Sequence, residues 1–210
     1  MPHDVLAYLQ VRLLVNTRYI LTVDLWIHVS TLSVLEEGLT ANANDRVLSP
    51  TYNPALLARA STLSSDISFL LGVSDDDSSW KTHKTHQALI SSPPPALHAY
   101  ISRLTHLVEK EPRRLLAHSY VRYMGDLSGG QMMKRNIRKA YGLVDERGTT
   151  FYEFGFMDSE GKSDPSTASM GEIKRIKKWF RGGIDAGIGN DVEMKGGSIN
   201  LSIVDLVTKG

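Results

Sequence analysis

Arg122 and Asp126 are four positions apart, the spacing at which an arginine and a carboxylate meet on one side of a helix. Three glycines lie beside that pair, Gly125, Gly129 and Gly130. Each costs a helix roughly 1 kcal/mol against alanine, so a helix that keeps them uses bare backbone for something. Continued as a helix, the segment stacks Gly125 with Gly129 and Asp126 with Gly130. That spacing predicts one nearly side-chain-free face bearing a single carboxylate. A flat ligand fits such a face at close range, and a carboxylate beside it can order water and move a proton. The same glycines also read as a turn between two helices, and spacing alone does not choose between the two.

A second group of chemical interest is Lys174, Lys177, Lys178 and Arg181 in the stretch 172–181. Lys177 and Arg181 are four apart and adjoin Ile176 and Phe180. An arginine fork and a mobile lysine suit ligand carboxylates, although a solvated basic face has the same composition. Seven histidines could ligate a metal: His3, His28, His83, His86, His98, His106 and His118. His28 sits in a leucine stripe, where a hydrogen-bonded core histidine is the plainer reading. His83 and His86 fall in a polar segment and are expected to be solvated. The chain has no cysteine, which excludes disulfides, iron–sulfur clusters and thiolate-ligated haem.

The elements that must carry these residues are helical. Leu21, Leu25, His28, Leu32, Leu35 and Leu39 step by four and three over 18–39, the mark of a buried stripe. Asn53-Pro54 predicts a cap and a first-turn proline, with one helix running on through Leu56, Ala60, Leu63, Ile67 and Leu70 to a stop at Gly72. Leu97, Ile101, Leu104 and Val108 make the next helix, and Pro112 opens the glycine-bearing one. Ile173, Ile176, Phe180 and Ile184 make the last, with a glycine-rich break at 187–189. A short helix is expected over 3–15. An acidic loop spans 74–79, and a strand-like alternation follows at 198–203. No strand–helix alternation appears, so the class is all-α, several helices around one core.

At 210 residues and 41% hydrophobic content the chain can fill one sizeable core. Its net charge of +1 gives no field that calls for nucleic acid. No apolar run is long enough to span a membrane and no signal peptide is evident.

The string Ala117-His118-Ser119-Tyr120-Val121-Arg122-Tyr123-Met124-Gly125-Asp126-Leu127-Ser128-Gly129-Gly130-Gln131 closely resembles the signature of the haem oxygenase family. The resemblance covers roughly residues 3–190 and is densest over 97–143. It implies a single all-α domain over 1–190, followed by a divergent tail over 191–210. It also implies that haem is both substrate and cofactor, opened with dioxygen to biliverdin, carbon monoxide and ferrous iron. NADPH enters only through an external flavoprotein reductase, since no nucleotide-binding glycine fingerprint is visible. Residue by residue, Asp126, Arg122 and Tyr100 match the family's proton-delivering network. Gly125, Ser128, Gly129, Gly130 and Tyr120 match its haem contacts. Lys177 and Arg181 match the pair that holds the propionates.

His3 matches the iron ligand, and the segment through Leu14 is similar to the fungal branch of the family. There are departures. A second network tyrosine falls at Leu32, a carboxylate near the ligand is replaced by Ala7, and the C-terminal run differs. The resemblance further implies a cytoplasmic protein, or one at the cytosolic face of an intracellular membrane. A haem-binding scaffold that kept the fold but lost activity is the competing reading. A helical di-metal oxygenase is a more distant one, with Glu36 and Glu37 its notable candidate ligands.

Overall fold

The computed structural model of the chain describes residues 24–73, 79–157, 163–164 and 167–194. The expectations for His3, for the helix at 3–15, for most of the acidic loop and for the alternation at 198–203 lie outside the described residues.

The architecture is helical, as the periodicity predicts. Helix α1 covers 24–41 and buries Leu25, Leu32, Leu35 and Leu39 of the stripe read from the sequence; Leu21 lies outside the described residues, and His28 is exposed rather than core. Two short helices follow, α2 (Pro54–Leu57) and α3 (Ala60–Leu71). Asn53 caps α2 by accepting from the Leu56 N–H at 3.1 Å, as expected. The single helix predicted from 53 to 72 is broken at Ala58-Arg59, because α3 starts against a carboxylate from α1. Glu36 accepts from the backbone N–H groups of Arg59 at 2.7 Å and Ala60 at 3.2 Å, and so caps α3 from a distance. Gly72 ends α3 with a left-handed φ of 67°.

Helix α4 (Lys84–Ser91) and helix α5 (Pro95–Lys110) lead to α6 (Leu115–Tyr141), and α7 (Met170–Met194) closes the described chain. A two-residue antiparallel ribbon, β1 (Phe156–Met157) with β2 (Ser163–Asp164), interrupts the link between α6 and α7. One hydrophobic core runs through α1, α3, α5, α6 and α7 and takes in Phe151 and Phe154 from that link. His86 is not solvated: it packs edge-on to Trp80, ring centroids 4.6 Å apart, and against Trp26 at 6.0 Å.

The glycines at 187–189 do not stop a helix. Helix α7 runs through them to Met194, and Gly183 and Gly187 let it press on backbone. A Cβ at Gly183 would meet the Pro50 carbonyl, and one at Gly187 would collide with the Val47 carbonyl. Asn190 fastens the same contact by donating to the Arg46 carbonyl at 2.7 Å. A Cβ at Gly189 would meet nothing within 4 Å. Gly187→Ala is therefore expected to lower unfolding stability by about 1–3 kcal/mol through overpacking. Gly189→Ala should raise it by up to about 1 kcal/mol through helix propensity. Denaturant melts of the two variants check this, and equal shifts in one direction would show that close approach is not what places these glycines.

Candidate functional site

Helix α6 is continuous across its glycines, which removes the turn reading. Leu115, Leu116, Tyr123, Met124, Leu127 and Ile137 bury one side of it. A Cβ added at Gly125 or Gly129 would meet nothing within 4 Å. With exposed Val121, Ser128 and Met132 these two glycines form one open strip, because 121, 125, 128, 129 and 132 fall on one helical face. Gly130 is turned elsewhere. A Cβ there would lie 3.0 Å from the Tyr152 ring, so Gly130 admits an aromatic brace behind the helix and is not part of the open strip.

Asp126 also leaves that strip. Its side chain is 16% exposed and its Oδ2 lies 3.1 Å from Arg122 Nε, an ion pair whose angle is not that of a hydrogen bond. Burial pushes the Asp126 carboxyl up to about 6, against the opposing pull of the Arg122 and Arg59 guanidiniums. Arg122 is held on two more sides. Its Nη1 donates to His28 Nδ1 at 2.7 Å, and its Cζ stands 5.3 Å from the centroid of the Phe151 ring. Burial, followed by the charge of Glu36, pushes the nearby Tyr123 phenol up.

Tyr100 is 39% exposed and bonds to His118 Nδ1 at 2.9 Å rather than to Arg122 or Asp126. Burial and then the charge of Arg103 lower the His118 pKa, which keeps that ring neutral near pH 7. Tyr120 is half-buried and packs on the core, while Leu32, where a network tyrosine was expected, is 1% exposed core. The residues missed from the sequence are His28 as the partner of Arg122, and the pair Glu36 and Arg59. Arg59 is buried, donates to the Glu153 and Leu56 carbonyls at 2.7 and 2.8 Å, and lies 4.5 Å over the Phe154 ring. No sequence signal marks these contacts, because 94 residues separate His28 from Arg122, as they do Arg59 from Glu153.

Lys177 and Arg181 line a groove of about 860 Å³ along α7, with Ile173, Lys174, Lys178 and Asp185. The Tyr123 and Phe180 rings meet at 5.9 Å, and a Cβ at Gly187 would lie 3.4 Å from Leu116. The contacts move back along α6 as they move forward along α7, so the two helices run antiparallel. That register brings Lys177 and Arg181 to the axial level of Asp126 and Arg122. Among the described residues no three His, Asp or Glu side chains gather to hold a metal ion, and Glu36 is spent on the start of α3.

Comparison with known proteins agrees with this geometry. The family model described as heme oxygenase matches residues 16–166. The heme oxygenase of Porphyra purpurea is 34% identical over 128 residues, 61% of this chain and 49% of that protein. Heme oxygenase 1 of Pongo abelii is 36% identical over 143 residues, 68% of this chain and 42% of that protein. The chain spans about half the length of the curated relatives it matches. Among solved structures, heme oxygenase-2 from Synechocystis in complex with heme and NO superposes with a TM-score of 0.64 at 30% identity. That match covers 80% of this chain and 60% of the other. The heme oxygenase of Leptospira interrogans gives 0.57 at 28% identity, covering 82% of each chain.

The Asp126 carboxyl sets a pH dependence. Its folded pKa of about 6 lies above the ordinary 3.8, so the folded chain holds this proton more tightly than the unfolded one. Stability from this group is therefore present at low pH and falls as pH rises from about 4 to about 6, by roughly 2–3 kcal/mol. Asp126→Asn should remove that fall. Denaturation curves of parent and variant at a series of pH values check it, and curves that stay parallel throughout would contradict a buried, proton-hungry carboxylate.

Proposed function

We propose that this chain, which belongs to the haem oxygenase family, binds haem as its substrate and opens it with dioxygen and reductant to biliverdin, carbon monoxide and ferrous iron. Haem supplies the redox chemistry when bound, and the protein supplies orientation and protons. The observation that carries this reading is the open strip of α6 beside a half-buried carboxylate whose pKa is about 6.

The face at Gly125, Ser128 and Gly129 admits a flat ring at van der Waals distance, since no Cβ stands in the way. Asp126 both takes up and gives up a proton near neutral pH, the condition for efficient general acid–base work. Arg122 keeps its carboxylate in place, while Tyr100 is held by His118 and makes no hydrogen bond to either member of that pair. Tyr120 meets the ring edge. Lys177 and Arg181 hold the propionates and so select the edge of the ring that is cleaved. His3 supplies the imidazole that ligates the iron. Electrons come from an external NADPH-dependent flavoprotein reductase. No helix among the described residues is long and apolar enough to cross a membrane. We place the chain in the cytoplasm or at the cytosolic face of an intracellular membrane, with the helical domain over residues 1–190 and a divergent tail over 191–210.

The test is a haemin titration followed by ascorbate in air. The purified chain should bind one haem and convert it to biliverdin, seen in the visible spectrum. Asp126→Ala should bind haem with similar affinity and form biliverdin at least about 10²-fold more slowly. A haem band that persists unchanged under ascorbate, or under a reductase with NADPH, identifies a haem-binding scaffold instead. Parental rates in Asp126→Ala would remove that residue from the proton path.

A further inference from the structure

Arg122 is held at two nitrogens. Nε faces Asp126 at 3.1 Å, and Nη1 donates to His28 Nδ1 at 2.7 Å. Phe151 lies against the guanidinium, centroid 5.3 Å from Cζ. A guanidinium carries only donors, so His28 Nδ1 must be the acceptor in this contact. The ring is then neutral, with its proton on Nε2. One hydrogen bond, one ion pair and one neighbouring ring restrain a side chain that would otherwise turn about its long stem.

Three charged groups face or neighbour His28. Arg122 approaches from α6 with Asp126 paired behind it, and Asp24 lies one turn earlier on α1. The Arg122 charge also reaches Glu36 and Tyr100. A protonated His28 would have no acceptor for Nη1 and would set one cation against another. Nothing in the signature string requires a histidine here, and no other hydrogen-bond acceptor from α1 reaches Arg122 among the described residues.

We propose that His28 is a positioning residue: its neutral ring clamps the Arg122 guanidinium beside Asp126, and protonation of the ring releases that clamp. Desolvation and the Arg122 charge both lower the His28 pKa from 6.5, with Asp24 opposing, so the clamp is closed at neutral pH and opens as pH falls. Asp126 gains its own proton near pH 6, so acidification both loosens the arginine and discharges the carboxylate it steadies. The importance of the clamp for turnover rests on the haem-cleaving reading above; the clamp itself does not.

The deciding experiment is NMR of the haem-free full chain with nitrogen-15 labelling, so it stands whether or not haem is cleaved. At neutral pH the His28 ring should show the Nε2–H form with Nδ1 accepting. The Arg122 guanidinium should give separate, slowly exchanging NH₂ signals. These should merge into one averaged signal as His28 protonates, and should be merged at every pH in His28→Ala. His28→Asn, whose amide oxygen can accept the same N–H, should restore separate signals that no longer respond to acid. In the haemin assay His28→Ala should slow biliverdin formation several-fold with haem affinity unchanged, and His28→Asn should recover the rate. Separate Arg122 signals in His28→Ala, or an averaged signal in the parent at neutral pH, would overturn the clamp. A chain that makes no biliverdin yet shows the paired collapse refutes the reading of function and leaves the clamp standing.

Discussion

Helix α6 must stay helical across three glycines, and the rest of the structure is arranged to make that possible. The glycines together cost about 3 kcal/mol against alanine, a large share of a typical domain's stability. The compensation comes from behind the helix. Tyr152 packs on Gly130, and Gln131 donates to the Tyr152 carbonyl at 2.8 Å. Lys134 pairs with Glu153 at 2.7 Å and with Glu146 at 2.6 Å, and Arg138 reaches Glu146 at 2.7 Å. The segment 146–153 thus runs along the helix as a brace. Asp66 anchors the brace in turn, accepting from the Thr150 and Phe151 N–H groups at 3.1 and 2.8 Å and from the Thr150 hydroxyl at 2.7 Å. A buried carboxylate on α3 is therefore linked, through one loop, to the bare face on the far side of α6.

The same economy governs the charges. Arg122, Asp126, Arg59 and Glu36 are two cations and two anions in a low-dielectric setting where an unpaired charge would be prohibitive. Each has a specific holder: backbone N–H groups for Glu36, backbone carbonyls and the Phe154 ring for Arg59, His28 and Phe151 for Arg122. Arg59 Nε, Arg122 Nε and Asp126 Oδ2 are left without a hydrogen-bond partner, and burial raises the affinity of Asp126 for a proton. A site that moves protons keeps one group near its tipping point and makes its neighbours rigid.

Patterns local in sequence were legible: the α1 stripe, the Asn53-Pro54 cap, the Gly72 stop and the Arg122–Asp126 pair all follow from spacings within one element. What depended on contacts between elements was not. Gly130 and Gly187 look like helix breakers in a string of letters, but the first receives Tyr152 and the second a backbone carbonyl. The break between α2 and α3 is set by Glu36 from another helix, and His86 is partly covered by Trp26 and Trp80. His28 reads from the sequence as a core histidine, yet it is exposed and partners Arg122, because nothing near it in sequence names that arginine.

On the proposed function, the open strip of α6 and the basic face of α7 would meet one flat, doubly anionic substrate. Titrating labelled chain with zinc protoporphyrin, a diamagnetic stand-in for haem, reads this directly through ring-current shifts. The account predicts the largest shifts at the amides of Gly125, Ser128 and Gly129, together with perturbed side-chain signals of Lys177 and Arg181. Saturating binding that leaves those glycine amides unmoved, with shifts gathered around Trp80 and His86 instead, would contradict it.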